Sequence, residues 1–388
     1  MLTLFRNFLS GLPYNLRRVT SGRGFIGEID GLRFLAILPV VLQHFSERVY
    51  RGVSPLRSAS DTTLADIFSH GHIGVYIFFA ISGFILALPF GRYALQQGSA
   101  VSLKTYYIRR LTRLEPPFLL VMTLFFLILV FLKNENFQEL FPHFLASCFY
   151  LHRIIYGEWS PINPPTWTLE IEVQFYILAP FLAALLFRIS NKFIRRLSVI
   201  VLIVIKIVLA NTTSWYDDLR LTLPYVIEFF LIGVLMADVF LTEWKDEIPK
   251  SLLFDFLAVI SIITVFCTWT WDKNLSWKFV FAGALFMTFY SCFRSIYVSR
   301  FFSNPWLTAI GGMCYSIYLI HLGFAEFFAS FLKRITPFND FTTNCLFGLL
   351  LFLPALFIIS TIFFLAVEKP CMDPKWPQKL SARIKGTF

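Results

Sequence analysis

Apolar runs recur along the chain at 29–45, 72–90, 114–132, 166–187, 197–212, 221–241, 252–271, 276–293, 306–331 and 342–366. An α-helix needs about 20 mostly apolar residues to cross a bilayer. The pattern therefore predicts an all-α polytopic membrane protein, a bundle of about ten transmembrane helices. A further apolar stretch, 137–155, is ambiguous by itself, and the positive charges decide its role. With a cytoplasmic N-terminus and no crossing at 137–155, the basic clusters 109–113 and 188–196 and the C-terminal tail all fall inside. A crossing there would put 188–196 outside, against the positive-inside rule. The expectation is that both termini are cytoplasmic and that 137–155 is a re-entrant or surface helix on the outer side.

Three regions follow. Residues 1–28 read as a cytoplasmic interfacial segment, because Phe5, Phe8, Leu9, Leu12 and Leu16 share one helical side among basic residues. Residues 29–366 form the transmembrane domain, and 367–388 a basic cytoplasmic tail. The first 28 residues hold no long apolar core of a cleavable signal peptide. No appended soluble domain is expected, and no internal repeat is visible.

Composition changes the picture only in what it excludes. The chain is 57% hydrophobic and 15% charged, with a mean hydropathy of +0.67, far from soluble averages. The net charge of +10 is explained by the positive-inside rule and not by nucleic acid. The six cysteines are scattered, without metal-ligand or disulfide-framework spacing, so no metal is expected.

The first span carries the chemistry that stands out. In EIDGLRFLAILPVVLQHF, Asp30 and Arg33 lie at one end and His44 at the other. Ionisable groups in an apolar span are costly and mark function by default. Eleven residues separate Arg33 from His44, so both lie on nearly one helical face, roughly 16 Å apart. The stripe presents a cation toward the inside and a histidine toward the outside.

Other polar groups join it. Arg110 and Arg113 lie one turn apart beside the third span and suit a phosphate group, although ordinary inner-side anchoring has the same composition. Pro116 and Pro117 would bend or start that helix. Glu170 and Glu172 open the fourth span but point about 200° apart, so they cannot form one acid–base pair. Periodicity does not choose between them. Gly71, Gly74 and Gly83, with Ser82, suit close helix packing, and His72 sits at the outer boundary. Tyr315, Tyr318 and His321 recur on one side of the ninth span, with His321 near mid-membrane. Lys206 and Glu228 are also intramembrane and would pair or reach the interfaces.

The ordered pieces EIDGLRFLAILPVVLQHF, GVYIFFAISGFIL, RRLTRLEPPF, TWTLEIEVQFYILAP and MCYSIYLIH resemble acyltransferase family 3, the integral-membrane acyltransferases, over about 28–321. The resemblance implies a bacterial inner-membrane enzyme. Such an enzyme moves an acetyl or other short acyl group from acyl-CoA to a sugar hydroxyl of O-antigen, exopolysaccharide or a related glycan. The family's Arg-x10-His falls on Arg33 and His44. Its Arg-x-x-Arg falls on Arg110 and Arg113. Its tryptophan-to-tyrosine segment falls on Trp167 through Tyr176, which selects Glu172, and its Tyr-Leu-x-His falls on Tyr318 and His321. The chain departs from the pattern at Tyr76, where an acid is frequent, and at Thr168, where serine is usual. The hydrolase-like outer domain fused to some members is not expected here, so the chain would act alone or with a separate partner.

The implied scheme makes His44 the general base on an acceptor hydroxyl, with Glu172 or, less favourably placed, Asp30 orienting it or holding substrate. Arg33, Arg110 and Arg113 would hold acyl-CoA (acetyl-CoA). Asp30, Trp167, Tyr318 and His321 would line the substrate path. Expected partners are a glycan or glycolipid acceptor and membrane lipids. A transporter or flippase is the competing reading, since intramembrane charges and broken helices also suit one. The lack of an inverted repeat weighs against it.

Overall fold

The computed structural model describes residues 11–18, 25–213, 219, 221–244, 247–268, 274–336, 338–373, 376 and 378. Among the described residues every regular element is a helix, without a strand. In chain order the helices are α1 (Gly27–Gly52), α2 (Ala59–Ser69), α3 (Ile73–Leu95), α4 (Leu103–Leu132), α5 (Phe137–Cys148), α6 (His152–Tyr156), α7 (Trp167–Phe187) and α8 (Lys192–Thr212). They continue as α9 (Leu223–Glu243), α10 (Leu252–Thr268), α11 (Leu275–Arg294), α12 (Tyr297–Phe302), α13 (Pro305–Gly312), α14 (Cys314–Ile335) and α15 (Phe341–Phe363). A π-helical turn, Phe364–Glu368, follows α15.

Among the described residues eight helices are long and apolar enough to cross a membrane. The expected ten spans count two more. One corresponds to α8, whose first turns carry Lys192, Arg195 and Arg196 and whose middle carries Lys206. The other corresponds to α10, which is only 17 residues long, or roughly 26 Å. The stretch 137–155 is broken into α5 and α6, with Tyr150 between them at φ +58°. The 12 residues of α5 rise only about 18 Å, too short for a span. The third apolar run starts earlier than expected. Ser102 caps α4, accepting from Thr105 N at 3.4 Å, so Pro116 and Pro117 lie inside the helix and Arg110 and Arg113 ride on it.

Helix α1 is the hub, touching α3, α12, α13, α14 and α15. Ile29, Leu32, Ala36, Ile37, Val40, Val41, Phe45 and Val49 recur at helical spacing and are all buried. Helix α3 packs between α1 and α9 at backbone distance, and its glycines allow this. A Cβ at Gly74 would overlap the carbonyl oxygen of Ala36. Gly83 lies against the Phe230 carbonyl, and Gly233 of α9 against that of Ala80. Exposed stripes such as Ile177, Phe181 and Leu185 on α7, or Leu350, Ile358 and Ile362 on α15, suit contact with lipid.

The N-terminal segment departs from a simple surface helix. Leu16 is fully buried against Ala309, Met313, Phe364 and Met372, with Leu12 beside it. Burying Leu16 under α13 and α14 removes more apolar surface from water than lying on the interface would. Phe5, Phe8 and Leu9 lie outside the described residues.

Candidate active site

Two clusters on α1 are separated by the rise of the helix. The first surrounds Asp30, which is fully buried. Arg33 donates to its carboxylate at 2.7 Å from one turn along, and Arg18 Nε approaches at 2.9 Å. Arg113 on α4 acts electrostatically on Arg18 and interacts with both Arg33 and Glu368. Burial, and after it the like charge of Arg33, pushes the Arg18 pKa down to about 9, while Asp30 opposes this. Arg110 lies over the rings of Tyr106 and Tyr176, at 5.9 and 5.6 Å. The structure thus gathers Arg18, Arg33, Arg110 and Arg113 around few carboxylates, a field suited to an anion.

Glu368 closes this cluster. Ser316 donates to it from its backbone N (3.0 Å) and its hydroxyl (2.5 Å). The other carboxylate oxygen is buried without a hydrogen-bond partner among the described residues. The π-helical turn delivers Glu368 inward, a geometry frequent at functional sites. Sequence reasoning missed both Arg18 and Glu368. Arg18 precedes the apolar pattern, and a π-turn leaves no periodic mark. The only available signal was a carboxylate at the very end of the last apolar run.

Glu172 lies between the clusters. Ser82 of α3 donates to it at 2.6 Å and Tyr176 at 2.5 Å. Ser82 is therefore a carboxylate partner as well as a small packing residue. Glu170 points elsewhere, accepting from Arg153 N at 2.9 Å. The two carboxylates diverge as helical periodicity requires.

The second cluster is a pair of histidines. His44 Nδ1 lies 2.7 Å from His321 Nε2, the rings stacked with centroids 5.0 Å apart. His321 Nδ1 faces two carbonyl oxygens, Tyr318 O at 2.7 Å and Ile317 O at 3.2 Å. Carbonyls only accept, so this nitrogen carries the proton and His321 Nε2 accepts from His44 Nδ1–H. His44 Nε2 is left with its lone pair, and among the described residues it has no protein hydrogen-bond partner. Sequence reasoning offered Glu172 or Asp30 to orient His44. The structure gives that contact to His321, because Asp30 is held by two guanidiniums and Glu172 by two hydroxyls.

The loop before α7 is tied to this pair. Tyr318 donates its hydroxyl to Pro165 O at 2.7 Å and accepts from Thr168 at 3.0 Å. Asn163 Nδ2 donates to Leu319 O at 3.1 Å. Trp167 packs its ring edge-on to Phe79 at 6.5 Å. Tyr76 stands in an aromatic group with Phe229, centroids 4.6 Å apart, and Phe281. Lys206 pairs with Glu228, resolving the alternative in favour of pairing. No group of three or more His, Cys, Asp or Glu side chains is placed to hold a metal ion among the described residues.

A part-buried histidine dyad, a cation cluster lower on the same helix and eight apolar helices stand together with a match of residues 26–368 to the Acyltransferase domain family. The chain belongs to acyltransferase family 3. It is 25% identical over 338 residues to a provisionally named O-acetyltransferase of Staphylococcus aureus (strain COL), covering 79% of this chain and 52% of that protein. It is 25% identical over 389 residues to the peptidoglycan O-acetyltransferase OatA of Listeria monocytogenes, covering 92% and 57%. To the O-acetyltransferase OatA of S. aureus (strain NCTC 8325) it is 24% identical, covering 79% and 52%. The chain spans about half the length of these curated relatives. No solved structure matches it.

Proposed function

We propose that this family 3 chain is a membrane O-acyltransferase of the bacterial inner membrane. It transfers an acyl group, with acetyl as the first expectation, from cytoplasmic acyl-CoA to a hydroxyl of an extracytoplasmic glycan. The glycan class covers O-antigen and exopolysaccharide, and the Listeria relative's name adds peptidoglycan. The observation that carries the reading is the His44–His321 pair, whose hydrogen bonds leave His44 Nε2 as the free acceptor. The ten-span plan with both termini inside puts this pair in the outer half and the arginine cluster in the inner half.

The chemistry follows from the pair. His44 Nε2 takes the proton of the acceptor hydroxyl as its oxygen attacks the thioester carbonyl. The new C–O bond forms, the C–S bond breaks, and the departing CoA thiolate receives the proton. Charge arising on His44 is shared when its Nδ1 proton shifts toward His321 Nε2. A positioned general base contributes about 10²–10⁴ in rate. Arg33, Arg110 and Arg113, with Arg18, would hold the anionic end of acyl-CoA, whose pantetheine arm would bridge the roughly 16 Å to His44. Glu172 would set the polarity of that path from its place beside Tyr176 and Ser82.

The test is transfer of labelled acetyl from acetyl-CoA to a glycan by the full chain in proteoliposomes. Loss of transfer in His44→Ala supports the reading. Undiminished transfer in that variant overturns the general-base assignment.

A further inference from the structure

Helix α1 continues for two turns past His44, to Gly52, and those turns carry a polar chain. Gln43 Nε2 donates to Glu47 at 2.9 Å. Arg48 Nε donates to Glu326 of α14 at 2.6 Å, and its Nη1 stands 3.9 Å from Glu47. Four planar groups from two helices thus connect as Gln43–Glu47–Arg48–Glu326.

Spacing places this chain above the histidine pair. Glu47 and Arg48 follow His44 by three and four residues, on the same face and roughly 4.5–6 Å along the axis. Glu326 follows His321 in the same direction, because α1 and α14 run parallel through both contacts. Arg48 acts electrostatically on both histidines. Side-chain exposure rises from 19% at Arg48 and 23% at Glu47 to 57% at Glu326, so the chain leads from the pair toward solvent. At its inner end Gln43 Oε1 is buried without a partner among the described residues. Buried acceptors are nearly always satisfied, and a turn of the Gln43 amide toward the open end of the chain would offer this oxygen to a ligand hydroxyl.

Planar amide, carboxylate and guanidinium groups can each engage neighbouring hydroxyls of a sugar ring. Two carboxylates against one guanidinium make the set negative, which disfavours an acidic sugar. We infer that Gln43, Glu47, Arg48 and Glu326 form the acceptor subsite of the His44–His321 pair, selecting an uncharged, hydroxyl-rich sugar ring over an acidic one. This rests on the proposed transfer to a glycan and adds the chemistry of the acceptor.

The experiment uses the full chain in proteoliposomes with acetyl-CoA and two acceptors of equal length. One is a neutral N-acetylhexosamine oligosaccharide, the other a uronic-acid oligosaccharide. The wild type acylates the neutral one at least tenfold faster. Gln43→Leu and Arg48→Lys raise the acceptor KM at least tenfold while the acetyl-CoA KM stays constant. Glu47→Gln combined with Glu326→Gln narrows the preference for the neutral sugar. Thermal unfolding in detergent shows whether each variant folds, and Glu326→Gln, at an exposed position, keeps the test open if Gln43→Leu does not. An unchanged acceptor KM in the folded variants, or equal rates on both sugars by the wild type, overturns the subsite alone. Transfer to neither sugar overturns the proposed function and the subsite with it.

Discussion

His44 Nδ1 and His321 Nε2 lie within hydrogen-bond distance across 277 residues of sequence. The proton on His44 Nδ1 is held there by a chain that ends on the Tyr318 carbonyl. This makes one tautomer of His44 the working one. His321→Gln, whose amide oxygen can still accept from Nδ1–H, is expected to retain much of the transfer rate. His321→Leu is expected to lose about tenfold to a thousandfold, within the range for general-base catalysis. Single-turnover transfer in proteoliposomes measures both. Equal rates for the two variants would show that the contact does not orient the base.

Asp30 sets one buried carboxylate against two largely covered guanidiniums, at 2.7 and 2.9 Å. Asp30→Asn leaves both without their counter-charge, and breaking a buried pair costs about 3–5 kcal/mol. The expected result is a marked fall in thermal stability. Added coenzyme A restores part of it, since a bound anion at 100 times its Kd contributes about 2.7 kcal/mol. Melting in detergent with and without coenzyme A reads this directly. Stability that is insensitive to coenzyme A would separate Asp30 from the donor site.

Tyr318 ties the loop before α7 to α14 through Pro165 and Thr168. Tyr318→Phe removes those bonds while keeping the ring. Each hydrogen bond is worth about 0.5–1.5 kcal/mol net, so losing both should lower transfer by roughly fivefold to a hundredfold, without loss of folded protein. A fall as deep as that of His44→Ala would give the hydroxyl a direct part in the reaction.

Gly83 and Gly233 let α3 and α9 meet at backbone distance. Gly83→Val places branched carbons where the Phe230 carbonyl stands. Overpacking costs about 1–3 kcal/mol even where a core can relax, and here the neighbour is backbone. Size-exclusion profiles should show aggregation. Gly283→Ala, where a Cβ meets nothing within 4 Å, should behave as wild type.

Between α5 and α6, His143 Nδ1 lies 2.9 Å from His152 Nε2, and His152 Nδ1 faces the Glu158 carbonyl at 3.2 Å. His152 must be neutral at Nε2 to accept, and burial lowers its pKa. A lowered folded pKa means that the unfolded chain takes the proton first. The contact's stability is complete above the ordinary histidine value of about 6.5 and is lost as pH falls below it. Protection against hydrogen exchange across α5 and α6, taken relative to the intrinsic rate at each pH, should fall from pH 7.5 to 5.5, and His152→Gln should flatten that dependence.

Much was legible along the chain because hydrophobic periodicity is local. The buried stripe from Ile29 to Val49, the separation of Arg33 from His44, the shared side of Arg110 and Arg113 and the divergence of Glu170 from Glu172 all follow from helix geometry within one element. The ordered motifs carried the family. What the chain could not show was which helix faces which. That His44 meets His321 and not Glu172, that Asp30 is shared by Arg18 and Arg33, and that Glu368 turns inward toward Arg113 depend on contacts between distant segments. Those contacts are set by where glycines let backbones approach and by the few carboxylates available to buried cations. Periodicity determined each helix's faces, and only packing decided what each face meets.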